Sequence, residues 1–98
     1  MSVPTTDSAA IRQVIRALRA DGHTLVSVND GGSRIPVTTE SAALEAITSV
    51  DEAHLRVTLP SGESGWVFFV LGNAPDEVVC DHTVNLSPTL DALLDTWV

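Results

Sequence analysis

The sequence predicts an α+β fold, an antiparallel sheet of about four strands with three helices in the order α-β-β-α-β-β-α. Three observations carry this. Ile11, Val14, Ile15 and Leu18 recur at helical spacing and make one apolar stripe. Leu55, Val57 and Leu59 alternate with His54, Arg56 and Thr58, the period of a half-buried strand. Asn29-Asp30-Gly31-Gly32 is hairpin chemistry, because these residues tolerate positive φ.

The first helix is capped by Thr6 or Asp7 and ends at Gly22, which supplies the left-handed residue past its C-terminus. Asp7 near its start and Arg16 and Arg19 near its end suit the helix dipole. A hairpin follows, with Thr24 to Val28 as one strand and Arg34 to Thr38 as the other. Pro36 lacks a ladder donor, so the returning strand belongs at a sheet edge. A short helix starts at Thr39 or Ser41 and runs to about Ser49, burying Ala43, Leu44 and Ile47. The alternating strand comes next, and Pro60 to Gly65 turns the chain.

Trp66-Val67-Phe68-Phe69-Val70-Leu71 is apolar at every position. Such a strand is expected at the centre of a sheet with both faces covered, by helices of this chain or by a second subunit. Trp66 and Phe68 are expected in one core with Leu55, Val57, Ile15, Leu18, Leu93 and Leu94. Asp76 to Thr83 reads two ways: Pro75 can open a helical turn, and Val78-Val79-Cys80 can form a short fifth strand. The last helix is expected to start with Ser87 as N-cap and Pro88 at the first helical position. Leu90, Leu93, Leu94 and Trp97 form its apolar stripe.

Ninety-eight residues suit one domain, which at this size buries roughly 60–65% of its unfolded surface. The lone cysteine, Cys80, rules out an internal disulfide framework and suits a reducing compartment. Met1 to Thr5 shows no basic or apolar leader region, and the longest apolar run is too short to span a bilayer. A cytoplasmic location is therefore expected.

Charge is divided unevenly along the chain. Residues 1–39 hold four arginines against three aspartates; residues 40–98 hold ten carboxylates against Arg56 alone. There is no lysine, and the net charge is −8. An acidic half of this kind repels nucleic acid and anionic membrane and attracts basic surfaces. Genomic base composition and solubility are the plainer explanations of the same imbalance.

The one dense group of reactive side chains is Cys80, Asp81, His82 and Thr83. Cys80 and His82 would share a strand face, as paired metal ligands can. A zinc site needs about four ligands, and His23 and His54 lie on remote elements. A Cys-His nucleophile pair needs contact and an orienting third group, which neighbours two apart on a strand rarely achieve. Cys80 is read instead as a buried small thiol. The Asn29–Gly32 loop lacks the Lys-Ser/Thr ending of a phosphate-binding loop, and Ser61 and Ser64 lack a nucleophile-elbow context. Arg12, Arg16 and Arg19 line one side of the first helix as a solvated face or as partners of the protein's own carboxylates. No catalytic residue, cofactor or metal is expected.

The last helix breaks the dipole rule that the first obeys. Asp91 and Asp95 are like charges at i and i+4, and Asp95 sits in the final turn. With Asp76, Glu77 and Asp81 they form the candidate protein-binding surface, to be weighed against a merely solvated acidic face.

The stretch from Gly65 to Leu86 contains Gly72-Asn73-x-Pro75-x-Glu77-Val78-Val79-x-Asp81-x-Thr83. With Thr24 to Gly31 and Leu90 to Trp97, it resembles a group of small uncharacterised proteins encoded by phages, prophages and plasmids. The resemblance implies an accessory protein of a mobile element and assigns no functional residue. Such accessory proteins often act on host defence or host regulators.

The expected function is that of a non-catalytic acidic binding protein. Its acidic half would engage a basic host protein surface and so inhibit a nuclease or defence complex, without binding nucleic acid or membrane itself. The alternative is a homodimeric structural or regulatory module, motivated by the two-sided apolar strand at 66–71.

Overall fold

The computed structural model describes residues 3–97. Met1, Ser2 and Val98 lie outside the described residues. The chain forms α1 (Asp7–Ala20), β1 (Thr24–Asn29), β2 (Arg34–Pro36), α2 (Glu40–Thr48), β3 (Glu52–Thr58), β4 (Ser64–Val70), β5 (Val79–His82) and α3 (Ser87–Asp95). Two 3-10 turns, Pro75–Glu77 and Val84–Leu86, flank β5. The sheet has five strands, one more than expected, in the order β2-β1-β3-β4-β5 with every pair antiparallel.

Local chemistry explains the helix ends. Thr6 Oγ1 accepts a bond from the Ala9 N–H at 3.0 Å, and Thr39 Oγ1 does the same for Ala42 at 3.1 Å. Gly22, at φ +86°, closes α1. Its N–H reaches the Arg19 carbonyl and the His23 N–H reaches the Leu18 carbonyl, the paired bonds that satisfy the last free carbonyls of a helix. The β1–β2 turn is held by its own side chains. Asn29 Oδ1 accepts from Gly31 N–H at 2.9 Å, and Asp30 Oδ1 from Gly32 and Ser33 N–H at 3.0 and 2.7 Å. Pro36 ends β2 at the sheet edge, as its missing donor requires.

All three helices contribute to one core on one side of the sheet. Ile11, Val14, Ile15 and Leu18 of α1 are fully buried with Ala43 and Ile47 of α2, and Leu90, Leu93 and Trp97 join from the C-terminal end. Leu44, Leu59 and Leu94 pack against this core half-buried. Two polar ties hold α3 to α1. Thr89 Oγ1 donates to Asp21 Oδ2, and Trp97 Nε1 donates to Gln13 Oε1 at 2.9 Å.

The expected place of Trp66 and Phe68 in this core is wrong. On β4, Gly65, Val67 and Phe69 are the buried positions, while Trp66 and Phe68 are half-buried on the other side. The register with β3 decides this. Leu55 pairs with Val67 and Ala53 with Phe69, so these share the helix side; Arg56 pairs with Trp66 and His54 with Phe68 on the opposite side. Both parities of β4 are apolar, so β3 rather than hydrophobicity selects the buried one.

Two further expectations are corrected. Ser87 is not an N-cap. The Val84–Leu86 turn runs straight into α3, so Leu86 occupies the cap position without a side-chain bond, and Ser87 already has helical angles, φ −54° and ψ −42°. Pro88 therefore follows as the second helical residue. Cys80 is exposed rather than buried. The register jumps from Phe69↔Val79 to Phe68↔Asp81, so Cys80 is the extra residue of a bulge, and even alternation with His82 is lost.

Gly65 is needed because β4 meets the chain beyond β5 closely. A β-carbon there would stand 3.0 Å from Thr83 Oγ1 and 3.1 Å from both Asn85 Oδ1 and Leu86 Cδ2. The same atoms form a clasp. Trp66 N–H donates to Thr83 Oγ1 at 3.2 Å, Thr83 Oγ1 to Asn85 Oδ1 at 2.6 Å, and Asn85 Nδ2 to the Ser64 carbonyl at 2.9 Å.

Candidate functional site

The side of the sheet away from the helices is open. Its side chains follow from the strand registers. One cross-strand row reads Arg34, Asn29, His54, Phe68, Asp81, one residue from each of the five strands. The next reads Pro36, Ser27, Arg56, Trp66. The ring of His54 stacks on Phe68 with centroids 4.4 Å apart and planes 16° from parallel, and it meets Trp66 edge-on at 5.4 Å and 73°. Three flat side chains thus form a continuous patch at the middle of the face.

Beside the patch lies a groove of about 280 Å³ lined by Ser27, Asn29, Arg34, His54, Arg56 and Trp66. Arg34 Nε donates to Ser27 Oγ at 3.3 Å, so its side chain lies diagonally across β1 and covers Ser27, which is only 4% exposed. Arg56 stands directly opposite Ser27 on β3. Neither guanidinium has a carboxylate within ion-pair distance among the described residues.

The carboxylates singled out from the sequence do not gather on one element. Asp76 and Glu77 are on the 3-10 turn before β5, Asp81 is on β5, and Asp91 and Asp95 are on α3; all five are exposed. Asp81 pairs with Phe68 and so lies at the edge of the open face. Asp91 belongs to the helix layer, where its Oδ1 is 3.9 Å from His82 Nε2. The His82 Nδ1–H donates to the Thr83 carbonyl at 2.8 Å, which fixes the ring.

Two of the three arginines of α1, Arg12 and Arg16, are engaged with the protein's own carboxylate. Arg16 Nε lies 2.7 Å from Glu40 Oε1 on α2, with Arg12 Nε at 3.9 Å. Among the described residues no group of three or more His, Cys, Asp or Glu is placed to hold a metal ion. No described helix is long and apolar enough to cross a membrane. His23 buries both ring nitrogens without a hydrogen-bond partner, at the α1–β1 connection and away from the open face.

Sequence reasoning placed His54 and Arg56 on the outward side of their strand. It did not find Trp66, Phe68, Asn29, Ser27 or Arg34 beside them. The β3–β4 pairs Thr58↔Ser64, Arg56↔Trp66 and His54↔Phe68 are symmetric about Ser61, the centre of the turn closed by Leu59 and Glu63. The segment 60–65 read from the sequence as the turn is centred elsewhere, so counting from it does not set the side on which Trp66 and Phe68 lie.

Comparisons with protein-family models, with curated proteins and with solved structures find no match to this chain.

Proposed function

We propose that this protein is a non-catalytic binding module, an accessory protein of a mobile genetic element. It would act by covering a functional surface of a host nuclease or defence complex, with the open sheet face as its docking surface. The observation that carries this reading is the patch of His54, Trp66 and Phe68 on a sheet side that none of the described helices covers. Tryptophan and arginine are the residues most enriched where binding energy concentrates at protein interfaces. Here Trp66 stands directly opposite Arg56.

The test is capture of host proteins by tagged wild type and by a Trp66→Ala/Phe68→Ala double variant whose folding is checked by circular dichroism. A folded double variant that captures the same protein at the same level would exclude this face as the docking surface.

A second reading rests on the exposed carboxylates Asp76, Glu77, Asp81, Asp91 and Asp95. In it the acidic surface engages a basic, nucleic-acid-binding partner. Asp91→Asn/Asp95→Asn would then weaken capture mainly through slower association, with the loss shrinking as salt rises. The homodimeric alternative also uses the open face. Its row runs from Arg34 at one edge to Asp81 at the other, so a copy turned about an axis along the strands sets each arginine against the other copy's aspartate. Sedimentation at tens of micromolar separates it, since a clean monomer removes the dimer.

A further inference from the structure

We propose that the groove between Arg34, Arg56 and Trp66 binds a small free anion carrying a flat ring, of the nucleoside monophosphate class. This goes beyond the docking role: it concerns a small-molecule site on the same face and holds whether or not a protein docks there.

The first argument is charge. The chain has thirteen carboxylates and five arginines, yet the groove is lined by two arginines and no carboxylate. Arg34 is drawn across β1 onto Ser27, and Ser27 is the direct cross-strand neighbour of Arg56. Two guanidinium side chains thus line one groove, with no carboxylate among its lining residues to offset their charge. A bound anion supplies that offset, and guanidinium forks match the oxygens of phosphate and carboxylate.

The second argument is hydrogen-bonding capacity. Asn29 Oδ1 is already occupied by the Gly31 N–H, which leaves the Asn29 amide to donate. Ser27 Oγ already accepts from Arg34, which leaves its own hydrogen to donate. Around the groove the free polar capacity is therefore mostly of one kind, donors, and its complement is a ligand rich in acceptors.

The third argument is shape. Trp66 lines the groove with a flat apolar ring and meets His54 in a T-shaped contact. Such a surface suits a stacked ring. At about 280 Å³ the groove sits at the small end of ligand sites. It has room for a single base with its phosphate. A nucleic-acid strand offers the same phosphate beside a flat ring, but a net charge of −8 opposes a polyanion far more than a single nucleotide. The free nucleotide is the occupant this argues for.

The experiment is calorimetric titration of the purified 98-residue chain with uridine 5′-monophosphate, and in parallel with uridine, inorganic phosphate and a ten-residue oligothymidylate. Uridine monophosphate should bind saturably, at least about tenfold more tightly than uridine or phosphate alone. Arg56→Gln, at an exposed position, should leave the circular dichroism unchanged and weaken that binding by about tenfold or more. Trp66→Leu should bring the affinity for the nucleotide down toward that for phosphate. Absence of saturation by roughly 5 mM nucleotide, or unchanged affinity in Arg56→Gln, would overturn the proposal. Equal affinity for phosphate would overturn the ring-binding part. Tighter, steeply salt-dependent binding of the oligothymidylate would overturn the free-nucleotide form in favour of a single strand. Because these titrations use no host protein, their failure is separate from failure of the capture assay.

Discussion

Phe68 and Phe69 are consecutive on β4 and serve opposite sides of the same sheet. Phe69 is fully buried beneath the helices, whereas Phe68 lies outside, stacked on His54 at 4.4 Å. Two residues of identical chemistry therefore carry different weights. Phe69→Ala should cost about 3–5 kcal/mol, since it opens a cavity in a close-packed core. Phe68→Ala should cost under about 1.5 kcal/mol, the worth of one aromatic contact and partial burial. Urea denaturation of the two variants checks this, and a larger loss for Phe68→Ala than for Phe69→Ala would mean the strand faces the other way.

Gly65 offers a test of the clasp between β4 and the segment beyond β5. A methyl group at this position meets Thr83, Asn85 and Leu86 at 3.0–3.1 Å. Gly65→Ala should destabilise by about 1–3 kcal/mol through overpacking. Amide exchange should show the loss most strongly at Trp66, whose N–H bonds Thr83.

The β1–β2 turn should respond to acid. Backbone N–H bonds from Gly32, and then from Ser33, hold the Asp30 carboxyl below its ordinary value. A folded value below the unfolded one means that the ionised side chain supports the turn at any pH above the ordinary aspartate value, about 3.9. That support is lost as pH falls through the lower, folded value. The Gly32 and Ser33 amide shifts should therefore titrate with a midpoint below about 3.9, and Asp30→Asn should abolish that titration.

Neutralising the acids of α3 should relieve strain rather than cause it. Asp91 and Asp95 are exposed at i and i+4, and no basic residue occupies the last turn. The nearest cationic candidate, His82, stands 3.9 Å from Asp91, too far for a hydrogen bond. Asp91→Asn/Asp95→Asn should raise stability by a few tenths of a kcal/mol per site at neutral pH and low salt. Thermal unfolding at two salt concentrations measures this, with the gain fading as salt is added.

What could be read along the chain and what could not divide by the range of the interactions involved. The apolar stripe of α1, the helix starts narrowed to Thr6 or Asp7 and to Thr39 or Ser41, the turn at Gly22, the Asn29–Gly32 hairpin and the edge strand at Pro36 each depend on residues within a turn or two of one another, and all stand in the structure, with Thr6 and Thr39 as the caps. The outward placement of His54 and Arg56 was legible for the same reason, because alternation on β3 needs no partner. Three features were not. The parity of β4 came from pairing with β3, since Trp66, Val67, Phe68 and Phe69 offer no polar residue to mark a face. The bulge at Cys80 came from the fit of β5 against β4, and the loss of Ser87 as a cap came from the 3-10 turn that delivers the chain into α3. The candidate site spans this divide. Its residues come from four strands, and Arg34 reaches the groove only by crossing β1 to Ser27. Caps and turns are set by local φ/ψ and adjacent donors, whereas a sheet face is assembled by registers between distant segments, which only the folded chain supplies.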